Sequence, residues 1–263
     1  MYCGRKDAAR KTTEVRPQKA KKGGRKMRTR KGITVIGDSV SKGLYLEDRH
    51  IRRIEKSAID ILSEDLGVEI ENFSQFGQTL KKSWEKGHFE RFFDPAMRGS
   101  TLVVALGGND CDYDWPTVAA DPFAPHRPHT TPEEFARILR TLASRLRANK
   151  VRAAFASLPP INAERYFKNV ICARADGESV MKFFCGDLSN IERHQECYNA
   201  AVLKAALENG CDFIDFRSPL LLMRDYLDCL SDDGIHPSAE GHRRIAAIVE
   251  QHNDEHGIIW PLS

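Results

Sequence analysis

Five short apolar runs recur along the chain, and stretches with helical spacing separate them. Ile33-Thr-Val-Ile36 is the first run. Val68 and Ile70, alternating with Glu69 and Glu71, form the second. Thr101–Leu106, Val151–Leu158 and Cys211–Phe216 complete the set. Runs of this length rich in β-branched residues read as strands, and the third, apolar after Thr101, reads as a strand buried on both faces. Between them, Ile54, Ala58, Ile61, Leu62 and Leu66 recur at helical spacing and stop at Gly67. A second helix follows Gly77. Phe135, Ile138, Leu139, Leu142 and Leu146 make a third, opened by the capping box Thr131-Pro-Glu-Glu134. Ser189 to Glu192 fits another capping box, and that helix runs to Asn209-Gly210. Ser238 and Glu240 open a last helix through Ile245, Ile248 and Val249.

Strands alternating with helices imply an α/β fold of three layers, α/β/α, around a five-stranded parallel sheet with right-handed crossovers. The flavodoxin-like strand order 2-1-3-4-5 puts the switch point between strands one and three, where ligands bind in such sheets. Segments 111–130, 161–188 and 217–231 lack a clear period and read as a long loop, an irregular stretch and a poorly defined connection. Residues 232–238 read as a turn-rich loop.

The first strand runs into Gly37-Asp38-Ser39-Val-Ser-Lys-Gly43, which reads as a tight turn and the start of a helix. Ser39 there is either a helix cap or a nucleophile at the carboxyl edge of the sheet. The third strand runs into Gly107-Gly108-Asn109-Asp110, so Ser39 and Asn109 flank the same crevice. Asn109, Asp38, Asp110 and Asp112 also fit plain turn or cap positions. A serine needs a base, most often histidine, and the base needs a group to hold its tautomer. His236, with Asp233 three residues before it, fits that need, although it also fits a surface histidine beside a helix cap.

Composition narrows the function classes. The 263 residues are 41% hydrophobic, as in a globular protein with a sizeable core. No apolar run approaches the ~20 residues of a membrane span, and the amino terminus shows no signal-peptide core. The seven cysteines are odd in number and include no Cys-x-x-Cys pair. That favours reduced thiols in a cytoplasmic protein over a disulfide framework or a zinc ribbon.

Charge is divided unevenly. Residues 1–31 hold 13 Lys and Arg against 2 Asp and Glu, a balance of +11. Of the totals of 40 and 37, that leaves 27 basic and 35 acidic residues, or −8, for residues 32–263. Residues 1–31 read as a disordered basic tail, with Met27 as an alternative start, and residues 32–263 as the folded domain. A basic tail alone could hold nucleic acid, but the acidic body argues against a nucleic-acid footprint.

In combination these blocks resemble a known family, the SGNH or GDSL-type serine hydrolases, over roughly residues 32–250. Gly37-Asp38-Ser39-x-x-x-Gly43, Gly77 after Asn72, Gly107-Gly108-Asn109-Asp110, and Asp233-x-x-His236-Pro237 occur in the family's order. The second block departs from the commonest family form. The resemblance implies an SGNH hydrolase fold and hydrolysis of acyl esters, with a small molecule or a carbohydrate as the substrate. It implies Ser39 as nucleophile, His236 as base and Asp233 as orienter. It further implies an oxyanion hole from the backbone N–H groups of Ser39 and Gly77 and the amide of Asn109, with no cofactor or metal.

Three alternatives remain open on sequence. One is an acyltransferase using the same triad. Another is a metal-dependent phosphoesterase with Asp38, Asp110, Asp112 and His236 as ligands. Its compact pairs, Asp48-x-His50 and Asp254-x-His256, fall away from the strand ends. The last is a binding protein without catalysis, which leaves the filled catalytic positions unexplained.

Overall fold

The structure is a computed structural model that describes residues 32–47 and 50–257. The basic tail and Asp48 lie outside the described residues, and so does the side chain of His256.

Strand β1 spans Ile33–Gly37. A hairpin follows, made of β2 (Leu44–Glu47) and β3 (His50–Arg53), paired antiparallel. Helix α1 is Ala58–Asp65, β4 is Ile70–Asn72, and α2 is Leu80–Glu85. Two short 3₁₀ turns lead to β5, Thr101–Ala105. Then come α3 (Trp115–Ala120), α4 (Pro132–Ala148) and β6 (Arg152–Ala156). Helix α5 (Ala163–Tyr166) continues into a π-type turn, and α6 covers Gly177–Phe183. The chain closes with α7 (Ser189–Asn209), β7 (Asp212–Ile214), α8 (Arg217–Leu222) and α9 (Ala239–His256).

The main sheet has the order β4-β1-β5-β6-β7, every pair parallel, which is the 2-1-3-4-5 arrangement read from the sequence. Successive side chains of a strand point to opposite faces, so each strand feeds two cores. Ile36, Leu102, Val104 and Phe155 pack against α2, α4 and α7 on one face. Ile33, Val35, Val103 and Ile214 pack against α1, α8 and α9 on the other. A third cluster of α3, α5, the π-type turn and α6 caps the carboxyl end of the sheet, with Trp115, Tyr166, Ile171 and Val180 at its centre.

Several expectations need correction. The Ser39 turn does not start a helix. Its hydrogen bonds, Lys42 N–H to Asp38 O and Leu44 N–H to Ser39 O, close one turn, and the β2–β3 hairpin intervenes. Helix α1 begins only after Ser57, whose hydroxyl accepts from Asp60 N–H while the Asp60 carboxylate accepts from Ser57 N–H. That reciprocal cap stops the helix from extending back to Ile54. Ser189 is not a cap but the first residue of α7. Its N–H and hydroxyl both donate to Asp187, and Glu192 accepts from Ala163 N–H instead of closing a box. Thr131 does cap α4, yet Glu134 reaches Lys81 at 3.0 Å, so only half of that box forms. The stretches without a clear period contain α3, α5, α6 and α8.

Six cysteines are described, and none of them is in a disulfide. Among the described residues no helix is long and apolar enough to cross a membrane.

Candidate active site

Ser39 stands just past the carboxyl end of β1, where the strand's buried apolar side chains give way to a turn. Its hydroxyl is 2.8 Å from His236 Nε2. His236 Nδ1 lies 2.6 Å from Asp233 Oδ2. Asp233 Oδ1 accepts three more hydrogen bonds, from Ser231 Oγ at 2.7 Å, Ile235 N–H at 3.0 Å and His236 N–H at 2.9 Å. The carboxylate that holds the ring is therefore itself held on its other oxygen. Burial raises the Asp233 pKa, but the His236 hydrogen bond and charge and the two N–H donors outweigh it, leaving the carboxyl below its ordinary value.

The turn between Asp233 and His236 is clamped from outside. Gly234 O accepts from Asn162 N–H at 2.8 Å. Gly234 has φ +73°, and a Cβ there would stand 2.6 Å from Asn162 O. Leu230 and Pro237 form an isolated bridge across the base of the loop. Asp232, by contrast, is exposed, and its backbone carbonyl accepts from Asn169 Nδ2 at 2.6 Å.

The oxyanion candidates are the backbone N–H groups of Ser39 and Gly77 and the side-chain amide of Asn109. Neither Ser39 N–H nor Gly77 N–H donates to a protein acceptor among the described residues. Gly77 has φ +64°, a conformation that suits glycine, between Phe76, which borders the cavity, and Gln78. Asn72 ties this second block to the first by donating to Ser41 O at 2.8 Å. The Asn109 amide donates to Asp38 Oδ2 at 3.3 Å and to Gln78 O at 3.2 Å, both long bonds.

The nearby aspartates have separate tasks. Asp110 accepts from Leu80 N–H at 2.8 Å, Lys81 N–H at 3.4 Å and Thr130 Oγ1 at 2.6 Å, so it caps α2 and pins the loop after α3. Asp112 accepts from Tyr166 OH at 2.6 Å, and that hydroxyl accepts from Trp115 Nε1 at 3.2 Å. Burial raises the pKa of both carboxyls, opposed by those same donors. Asp38 is buried too, and burial lifts it to about 6 against the pull of Val40 N–H and His236. The four residues weighed as metal ligands do not converge. Among the described residues no three His, Cys, Asp or Glu side chains are grouped to hold a metal ion. Cys111 is no rival nucleophile: burial pushes its thiol well up, and Sγ donates to Gly108 O at 3.1 Å.

Sequence reading missed Ser231, the hydroxyl behind Asp233. Its signal, a hydroxyl two residues before an acidic turn residue, is weak. It also missed His242, which is 1% exposed on α9 and accepts Ala58 N–H at Nδ1, 3.2 Å away. The aromatic residues Tyr113, Trp115 and Tyr166 both pack in the cap and border a cavity of about 400 Å³ that reaches Ser39 and His236.

A serine hydroxyl, an imidazole and a buried carboxylate in series can move a proton off the hydroxyl and hold the resulting imidazolium. These side chains sit at the switch point of the sheet in a three-layer α/β/α fold, the arrangement of a serine hydrolase. Residues 35–244 match the model of the GDSL-like lipase/acylhydrolase family, and the chain belongs to that family. It is thereby a serine esterase in general reaction type.

Solved structures share the fold. The lipase/acylhydrolase from Enterococcus faecalis superposes with a TM-score of 0.59 at 15% identity, covering 89% of this chain and 99% of that one. LAE5, an alpha/beta hydrolase enzyme from the metagenome of Lake Arreo, Spain, gives 0.56 at 18% identity, covering 87% and 96%. TesA gives 0.52 at 16% identity, covering 86% and 99%. No curated protein matches the chain at a significant level.

Proposed function

We propose that the chain hydrolyses carboxylic esters of small molecules through an acyl-enzyme on Ser39. The observation that carries this reading is the unbroken relay from Ser39 Oγ to His236 Nε2 at 2.8 Å and from His236 Nδ1 to Asp233 at 2.6 Å. Ser39 Oγ attacks the ester carbonyl carbon while His236 Nε2 takes its proton. Asp233 keeps the ring's other proton on Nδ1 and stabilises the imidazolium. The tetrahedral oxyanion is met by Ser39 N–H, Gly77 N–H and the Asn109 amide. Neutral donors set in place beforehand stabilise it without disturbing the base. The C–O bond to the alcohol then breaks, and His236 returns the proton to the leaving oxygen. Water repeats the sequence, releasing the carboxylic acid and restoring Ser39. A cytoplasmic location is supported by the six described cysteines, all unpaired thiols.

Intact mass after treatment with a fluorophosphonate tests the reading. One covalent adduct on wild type, none on Ser39→Ala, and no effect of chelator are expected. Labelling that persists in Ser39→Ala would remove Ser39 from the nucleophile's role.

A further inference from the structure

The cavity at Ser39 has two unlike halves. Under the cap it is bordered by aromatic rings together with Asp112, Arg174, His194 and Gln195, a wall rich in polar atoms. The other half enters the interior between the sheet and helices α1 and α9. Its walls include Val35, Val103 and Ile214 from the sheet, Leu62 from α1, and Ile245 and Val249 from α9.

That inner half is a real hollow in the packing. Its six wall residues keep 4–7% of their surface accessible although they lie inside the domain. On the opposite face of the sheet, Leu102, Phe135, Leu142 and Leu146 keep 0%. Ala154 belongs to the same apolar cluster as the wall but does not border the cavity, and it too keeps 0%. A void lined by side chains forfeits the contacts its walls would otherwise make. Charge is absent from the deep end as well. His242 borders it, but burial and then the nearby His236 push its ring down to about 4, so it is neutral at pH 7.

We propose that this inner half takes the acyl chain of the ester, an unbranched apolar chain of medium length, while the alcohol lies under the aromatic cap. The inference rests on the esterase reading and adds its substrate class. The walls of the apolar half are aliphatic apart from the His242 ring, whose Nδ1 accepts from Ala58 N–H and whose Nε2 is its one unused polar atom, so the several hydroxyls of a sugar or a charged group would be left unsatisfied there. The cap half offers donors and acceptors suited to a polar alcohol. The carbonyl between the two parts then falls at the mouth, beside Ser39. A volume of about 400 Å³ for the whole cavity is within the ~300–1,000 Å³ range of small-molecule pockets.

The test uses p-nitrophenyl esters from acetyl to decanoyl, with decanoic acid as a separate binding probe. In wild type, kcat/KM should climb about fourfold per added methylene until the hollow is full, as expected for ~0.8 kcal/mol per buried methylene. Val249→Phe, which fills the deep end, should lower the ratio of decanoyl to acetyl kcat/KM at least tenfold. Decanoic acid should raise the melting temperature of wild type and of Ser39→Ala, because binding needs no chemistry. Acetyl-ester hydrolysis with no chain-length preference and no effect of decanoic acid would overturn the acyl pocket and leave the esterase reading standing. Stabilisation by decanoic acid without hydrolysis of any ester would leave the apolar-chain pocket and overturn the esterase reading.

Discussion

The Asn109 amide and the Asp38 carboxylate are joined at 3.3 Å, so the nominated oxyanion donor is shared with the buried acid that precedes Ser39. The same amide also serves Gln78 O. Both bonds are at the long end of the range and can yield to a short bond from a developing oxyanion. A donor of this kind acts mainly in the transition state. Asn109→Ala should therefore lower kcat by ~10²–10³ with little change in KM. A loss confined to KM would make Asn109 an ordinary substrate contact.

Asp38 gives a pH signature. Burial lifts its folded pKa from 3.8 to about 6. A carboxyl whose folded pKa is raised contributes stability that is full below pH ~4 and lost as the pH rises through about 6. The swing is roughly 3 kcal/mol at ~1.4 kcal/mol per pKa unit. Asp38→Asn cannot titrate and escapes this loss. The difference in melting temperature, variant minus wild type, should grow by several degrees between pH 4 and pH 7.5. Melting curves at four or five pH values check it, and an offset constant with pH would show that Asp38 titrates normally.

Gly234 concentrates the strain of the His236 loop in one position. An alanine Cβ would meet Asn162 O at 2.6 Å and Arg165 Cβ at 2.7 Å, and φ +73° is itself unfavourable for alanine by ~1–2 kcal/mol. Gly234→Ala should lower the melting temperature by several degrees and reduce kcat, because the loop must move away from α5 and carry Asp233 with it. A variant that melts like wild type would show that the Asn162–Tyr166 segment gives way freely.

The parts legible in the sequence are those with a local signature. The five strands announce themselves by apolar runs of the right length, and the parallel order follows from their alternation with helices. Asp233 and His236 are three residues apart, so their meeting is set by one turn. What escaped reading depends on distant partners. Asp110 looks like a turn residue or a metal ligand until Leu80 N–H, 30 residues away, is seen to rest on it. Asp112 meets Tyr166 across 54 residues. Helices α3 and α5, six and four residues long, are too short to show a period. They exist because Trp115, Tyr166 and Val180 pack into one cluster. The β2–β3 hairpin, with its exposed β3, offers no buried face to mark it.

Two neighbouring aspartates precede His236, and their surroundings separate them. Asp233 is buried, with 3% of its side chain exposed, and its two oxygens are fully engaged by His236 and three further donors. Asp232 points to solvent, and the loop uses its backbone carbonyl rather than its carboxylate. The carboxylate on Nδ1 sets which tautomer the ring adopts, and only the tautomer with Nε2 free can take the Ser39 proton. Asparagine at 233 keeps the size but can present an N–H to Nδ1, which favours the wrong tautomer, and it brings no charge to the imidazolium. Asp233→Asn should therefore cost several orders of magnitude in kcat. It should also remove the stability that a depressed carboxyl supplies above pH ~4, which wild type loses as the pH falls through the lowered value. Asp232→Asn alters a solvated carboxylate and should cost less than about tenfold, or ~1.4 kcal/mol. Measuring kcat for both variants decides the matter: if Asp232→Asn is the more damaging change, Asp233 is not the group that orients His236.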